Sequence, residues 1–327
     1  MGSSLLVATN DSSEKAKLTA DFVGDGFGDQ DEINQAIAAL PLSGGRVDLA
    51  AGTYDIRRVP GMLGGVLVDR ENVTLVGVGA STRLILAPEQ NTNVVRGTAS
   101  NFHACNFWID GNSFNNPNPL PFEGNGIRVS GVPNPFTSVV SNVTVDGVIV
   151  CNANTLGFQL IGLNVRVVRS SYYLSSPHTT HDAFELGLGP GELCNNYTEI
   201  GGQIGYVLGS DTGEQINISN NLVRVVSGGT VTEAVIRPWP NKWGHIVTNN
   251  NIRADGGMVN MMLIVEGGES NVIIGNVFGG NDLRSRVRIA SPSAVVTGNV
   301  FQYIDVELNT STVWGSNLLL SSTTAAI

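Results

Sequence analysis

The sequence predicts an all-β solenoid of parallel strands, and three observations carry that prediction. A short phrase opening on asparagine recurs, as Asn196-Tyr197-Thr198, Asn221-Leu222-Val223, Asn251-Ile252-Arg253, Asn276-Val277-Phe278 and Asn299-Val300-Phe301. The steps between these asparagines are 25, 30, 25 and 23 residues, the period of a solenoid coil. A strand-forming run follows each turn by about ten residues, and inside it apolar residues alternate in the pattern of a strand. From Arg46 onward, short Val, Ile, Leu and Phe runs are separated by Gly, Asn, Ser and Asp, which is the signature of an all-β chain.

In chain order, the first element is the one segment that reads as a helix. Asp29 stands at its N-cap, Glu32 completes a capping box, and Ile33, Ala36, Ile37 and Leu40 form one apolar face. Pro41 and the Gly44-Gly45 pair stop it. The repeat phrase is met upstream as Asn106-Phe107-Trp108, Gly147-Val148-Ile149 and Ser171-Tyr172-Tyr173, with a Pro/Asn-rich insertion at 112–121. The following strands run over 126–130, 157–161, 183–187, 205–209, 233–237, 262–266 and 286–290. Their expected inward pairs are Ile127/Val129, Phe158/Leu160, Phe184/Leu186, Tyr206/Leu208, Ala234/Ile236, Leu263/Val265 and Val287/Ile289. Stacked one rung per coil, about 4.8 Å apart, such strands bring the five asparagines into an internal ladder. Each side-chain amide then bonds its neighbour in the next coil and satisfies buried polar groups.

Composition narrows the function. Charged residues make up 14% of the 327, where about 25% is usual, and 40 Gly and 33 Asn cover the difference. The net charge is −10 and the lysines are Lys15, Lys17 and Lys242 alone, so no general attraction to nucleic acid or an anionic membrane is expected. No apolar run approaches the roughly 18 to 20 residues of a membrane helix, so no membrane insertion is expected. Cys105, Cys151 and Cys194 are widely spaced without a Cys-x-x-Cys pair, and read as small buried apolar residues. No basic stretch followed by an apolar one opens the chain, so no export signal is visible in it.

The stretch from Asp21 to Ile56 carries Gly24-Asp25-Gly26, Asp29, Ile33-Asn34-Gln35-Ala36-Ile37, Gly44-Gly45-Arg46-Val47 and Gly52-Thr53-Tyr54. It resembles the N-terminal cap of pectate-lyase-like right-handed parallel β-helix proteins, which include polysaccharide lyases, glycoside hydrolases, mannuronan epimerases and phage tailspikes. The resemblance implies a right-handed single-stranded parallel β-helix with a short N-terminal capping helix. The expected division is a cap over 1–56 with its helix near 29–40, coils over 57–320 and a C-terminal tail over 321–327.

Chemistry is expected on the outward rows of the second strand. The middle row reads Arg128, Gln159, Glu185, Val207, Val235, Ile264 and Arg288, and across 157–209 its flanks are mostly Gly or Ala, leaving room for a long ligand close to the backbone. The run His178-Thr179-Thr180-His181-Asp182 places two of the four histidines and a carboxylate at one strand entrance. These are acid–base residue types, and the competing reading is a hydrogen-bonded structural turn. Glu233 and Arg237 face outward, followed by the rigid aromatic loop 238–243 with Trp239 and Trp243, whose rings suit sugar stacking. Arg237 pairs either with a ligand or with Glu266 one coil away. Tyr173 extends the aromatic lining.

Two mechanisms remain open. A glycoside hydrolase needs two carboxylates, for which Glu185 or Asp182 with Glu233 serve. A lyase or epimerase needs a base and a cation against a uronate carboxylate, for which His181 or His178 with Arg237 or Arg128 serve. The Asp-Pro-His motif that the resemblance implies for an epimerase is here Ser176-Pro177-His178, which tells against that activity. No metal and no cofactor is expected. Calcium dependence is unsupported, because the outward rows are poor in Asp. The expected partner is a polysaccharide or surface glycan, bound by a monomer or homotrimer that is secreted, on a cell surface or in a virion. The non-catalytic alternative is a glycan-recognition or structural module of a phage tail, virion or cell surface.

Overall fold

The computed structural model describes residues 3–132, 135–281 and 285–326. The chain is all-β, with 7% helix, and its strands pair in parallel. It divides into two compact units, Met1–Ser171 and Tyr172–Ile327.

From Gly45 onward the coils of the first unit contribute strands to three stacks, and the last strand, Leu156–Val168, pairs in two of them. One stack runs Ser3–Ala8, Gly45–Leu49, Val73–Val76, His103–Cys105 and Val140–Asp146. The others run Gly52–Ile56, Thr82–Leu86, Trp108–Asp110, Ile149–Cys151 and Val66–Val68, Val95–Gly97, Ile127–Ser130. Pairing is therefore already under way at Ser3, well before Arg46. The core is made of rows such as Val47, Leu75, Ala104 and Val145, all fully buried. Burying each large aliphatic contributes about 1.5–3 kcal/mol.

Two helices accompany these coils where one was expected. Helix α1, Glu14–Thr19, is a short turn capped by Ser13 Oγ, which accepts from Ala16 N. Helix α2, Gln30–Ala39, buries Ile33, Ala36, Ile37 and the following Leu40, the expected apolar face. Its cap departs from expectation, since Asp29 makes no side-chain cap hydrogen bond. The fully buried Asp29 carboxylate instead accepts from Thr9 Oγ1 at 3.0 Å, Gly26 N at 2.9 Å and Asp55 N at 2.9 Å. A Cβ at Gly24 would stand 2.2 Å from Asp29 Oδ1, so the glycine of the Gly24-Asp25-Gly26 phrase lets the carboxylate approach the turn it ties.

In the second unit the asparagine ladder exists, with one member changed. Asn196 N donates to Asn221 Oδ1, and amide-to-amide bonds of 2.9–3.0 Å then link Asn221, Asn250, Asn276, Asn299 and Asn317. Each Nδ2 from Asn221 onward also donates to a strand carbonyl, those of Leu193, Ile218, Val247, Ile273 and Val296. Asn251 is not a rung. It opens a strand opposite Leu222 and Val277, and its Oδ1 accepts from Arg253 Nε. Three asparagines stand in a row here: Asn249 takes the left-handed conformation at φ 55, Asn250 turns inward and Asn251 outward. Asn195, Asn220, Gly275 and Gly298 hold the same left-handed place before their own rungs. Inside, Phe278 stacks on Phe301 and Phe301 on Trp314, with ring centroids 5.4 and 5.7 Å apart. The expected tail supplies a further strand, Thr323–Ala326, paired with Ile304–Leu308. Residues 1, 2 and 327 lie outside the described residues.

The cysteines are half-buried thiols rather than core residues. Cys151 Sγ accepts from Trp108 Nε1 at 2.9 Å, and burial pushes its thiol pKa up to about 11.

Candidate functional site

Three successive rungs of the second unit, Thr179–Leu188, Gln203–Asp211 and Thr230–Arg237, carry the densest set of chemical side chains. Their register differs from the expected one by two residues at the first step. Phe184 lies opposite Leu208 and Glu185 opposite Gly209, which in turn lies opposite Arg237. The next step but one reverses the shift, with Ile236 opposite Leu263 rather than Val265. Glu185 and Arg237 thus share one outward row with a glycine between them, separated by two rung spacings, about 9–10 Å. Val207 and Val235, expected in that row, are buried.

Tyr206, expected to point inward, lies opposite Asp182 and faces outward, next to an irregularity in the pairing between Ile204 and Tyr206. A bulge adds a residue to one strand and reverses the facing beyond it. Strict alternation therefore missed this side chain. The Tyr206 hydroxyl accepts from Arg237 Nη1 at 2.6 Å, and the Arg237 guanidinium lies 4.9 Å from the Tyr206 ring centroid and 6.0 Å from that of Trp239. Among the described residues Arg237 makes no ion pair, with Glu266 or any other carboxylate. Trp239 is fixed by its backbone N–H, which donates to Ser210 Oγ at 2.7 Å.

These groups line one cavity of about 210 Å³, formed by His181, Asp182, Glu185, Tyr206, Arg237 and Trp239 with Gly209 and Ser210. A neighbouring cavity of about 250 Å³ shares His181 and Tyr206 and adds Glu233, Thr179, Thr180 and Gln203. His181 Nδ1 stands 3.1 Å from Oδ1 of the nearly buried Asp182 and forms an ion pair with it when the imidazole is protonated. That carboxylate raises the His181 pKa above its ordinary value, partial burial opposes the rise, and Glu185 and Glu233 add to it. Burial raises the Tyr206 pKa, and Arg237 pulls the other way.

The remaining expected residues fall elsewhere. His178 lines neither cavity; its N–H donates to Ser175 O and its carbonyl accepts from Gln203 N. Trp243 is half exposed on its loop, outside both linings, and its carbonyl accepts from Gln215 N. Tyr173 sits in the Ser171–Leu174 strand, in the stack that carries Tyr197, and its ring lies 5.6 Å from the Tyr197 ring. Composition supplies aromatic rings but does not say on which face of a coil they stand. Arg128 and Gln159 belong to the first unit, opposite one another and nearly buried, with Arg128 Nη1 donating to Gln159 Oε1. The other two histidines line neither cavity. Burial lowers the pKa of His245 to about 4, and its Nδ1 accepts from Ile216 N, while burial also lowers the pKa of His103. Among the described residues no cluster of three or more His, Cys, Asp or Glu is placed to hold a metal ion.

Solved structures of the same architecture were found. A DFA-IIIase from Arthrobacter chlorophenolicus A6, in complex with GF2, aligns with a TM-score of 0.63 at 14% identity, over 99% of this chain and 85% of that one. The shared fold is the parallel β-helix. The A-module of a mannuronan C-5 epimerase from Azotobacter vinelandii aligns at 0.55 and 17% identity, over 92% of this chain and 95% of that one. A PL6 alginate lyase bound to a trisaccharide aligns at 0.58 and 12% identity, over 92% and 60% respectively. No family model and no curated protein matches the sequence.

Proposed function

We propose that this β-helix is a carbohydrate-active protein whose second unit binds an extended acidic polysaccharide and cleaves it by elimination at the His181–Arg237 cavity. The observation that carries the reading is Arg237, a guanidinium held by a neutral tyrosine and without a carboxylate partner, in one cavity with a carboxylate-poised histidine. A uronate carboxylate laid on Arg237 would have its charge neutralised, which acidifies the proton on the adjoining carbon. His181, once deprotonated, accepts that proton, and Asp182 orients the ring and stabilises the imidazolium that forms. The electron pair left behind makes a carbon–carbon double bond as the glycosidic carbon–oxygen bond breaks. Tyr206, kept protonated by burial, gives its proton to the departing oxygen. Trp239 offers a stacking face for the sugar. Structures that share the fold are named as a mannuronan epimerase, an alginate lyase and a DFA-IIIase, which agrees with a carbohydrate partner.

One further observation favours a second reading. Asp182 and Glu185 line the same cavity, and two carboxylates are what a hydrolase needs. The deciding experiment incubates the protein with alginate, other uronate polymers and neutral glucans. Elimination predicts unsaturated, ultraviolet-absorbing ends from uronate polymers only, lost in His181→Gln. Reducing ends without unsaturation would give the site to hydrolysis. Binding of glycan with no product at all would leave a recognition module.

A further inference from the structure

The first unit holds a separate cavity of about 300 Å³, walled by Met62, Leu63, Leu67 and Val132, with Asp69 at its side and Arg96 in its lining. Met62, Leu63 and Val132 are 43%, 41% and 50% exposed, so apolar surface is held open around the entrance. Arg96 by contrast is only 5% exposed. Its Nη1 donates to the carbonyls of Gly97 and Arg128, and its Nη2 to the carbonyl and hydroxyl oxygens of Ser130. No described carboxylate pairs with it, Asp69 included, and its Nε–H has no acceptor among the described residues.

An unpaired buried cation is the unusual feature, because taking a charge out of water costs several kcal/mol unless an opposite charge compensates. The buried Glu123 of the same unit is treated differently, since it pairs with Arg58 at 2.5 Å. Arg128 lies opposite Arg96 on the next rung. Burial and that neighbour lower the Arg96 pKa to about 10. The volume is at the lower end of the roughly 300–1,000 Å³ of small-molecule sites.

We propose that this cavity binds a small carboxylic acid with a compact apolar body, the carboxylate accepting from Arg96 Nε–H and the body lying among Met62, Leu63, Leu67 and Val132. The carboxylate supplies the missing counter-charge, and charge-assisted hydrogen bonds are the strong ones. The site is independent of the glycan cavity and of the elimination reading.

Titration calorimetry of the full chain with 3-phenylpropanoate and with 3-phenylpropanol tests it. The acid is expected to bind about tenfold or more tightly than the alcohol, a difference of the size of one charged hydrogen bond. Arg96→Met should erase that preference. Because Arg96 also ties strand carbonyls and its loss can unfold the coil, Leu63→Trp serves as the second variant, filling the cavity from an exposed position and abolishing binding of both probes. Arg237→Gln should leave both affinities unchanged. Equal binding of acid and alcohol, no binding of either, or unchanged affinity in Leu63→Trp would each overturn the proposal.

Discussion

The two units use asparagine ladders in opposite senses. In the first, Asn72, Asn101, Asn142 and Asn164 line up on the surface, each with φ between 54 and 62, and their side chains bond one another at 2.9–3.4 Å. In the second, Asn196, Asn221, Asn250, Asn276 and Asn299 are buried at 0–2% exposure, and from Asn221 onward their amides satisfy strand carbonyls as well as each other. The surface ladder is a device of conformation, since asparagine tolerates the left-handed region. The buried ladder is a device of hydrogen-bond satisfaction, where an unmade bond costs the full desolvation of the group. The same residue in the same kind of stack therefore carries different free energies: in the surface ladder the asparagine itself takes the left-handed turn, and in the buried ladder the residue before it does.

Substitution separates the two. Asn250→Leu should destabilise the second unit by about 1–3 kcal/mol for each buried group it orphans, and the Ile218 carbonyl and Asn221 amide are both affected. Asn251→Leu, one residue away and outside the ladder, should stay within about 0.5 kcal/mol. On the surface ladder, Asn101→Gly should also cost no more than a few tenths of a kcal/mol, because glycine adopts the same φ freely. Thermal or denaturant unfolding measures all three. Equal losses at 250 and 251 would break the distinction between rung and neighbour, and a large loss at 101 would break that between the ladders.

A smaller effect concerns His181. Its folded pKa is raised, so the Asp182 contact contributes stability below the ordinary histidine value and loses it as pH rises through the folded value. The exposed imidazole keeps that contribution small. For the proposed elimination, turnover moves the other way, because a histidine base must be deprotonated, and should climb with pH through the same midpoint. An NMR titration should place the His181 midpoint above 6.5 and Asp182→Asn should lower it; a midpoint at or below 6.5 in the unaltered protein would contradict the pairing.

The fold was legible because buried positions recur with the coil. The phrases at 221, 276 and 299 and the inward pairs at 127/129 and 158/160 are direct consequences of stacking. At 249–251 three asparagines offered three registers, and the discriminating signal lay two places after the rung, where Val223, Ile252, Phe278 and Phe301 are all buried. The neighbourhood of His181, Asp182, Glu185, Arg237 and Trp239 was readable from coil spacing alone. Tyr206 was not, since alternation assumes an unbroken ladder and the pairing is irregular beside it. Tyr173 and Trp243 were drawn in by residue type, which carries no information about facing. Helix α1 escaped because six residues are too few for a periodic pattern.

The contrast between Arg96, enclosed by carbonyls, and Arg237, set in an open cavity beside a tyrosine, leads to the most direct measurement. Acidic oligosaccharides prepared from alginate, and neutral oligosaccharides of equal length, are titrated against His181→Gln protein, in which turnover is blocked, with and without Arg237→Gln. The account predicts that the acidic ligand binds the Arg237 protein and loses about tenfold or more of its affinity in Arg237→Gln, while the neutral ligand is little changed. Identical affinity for the acidic ligand with and without Arg237 would contradict it.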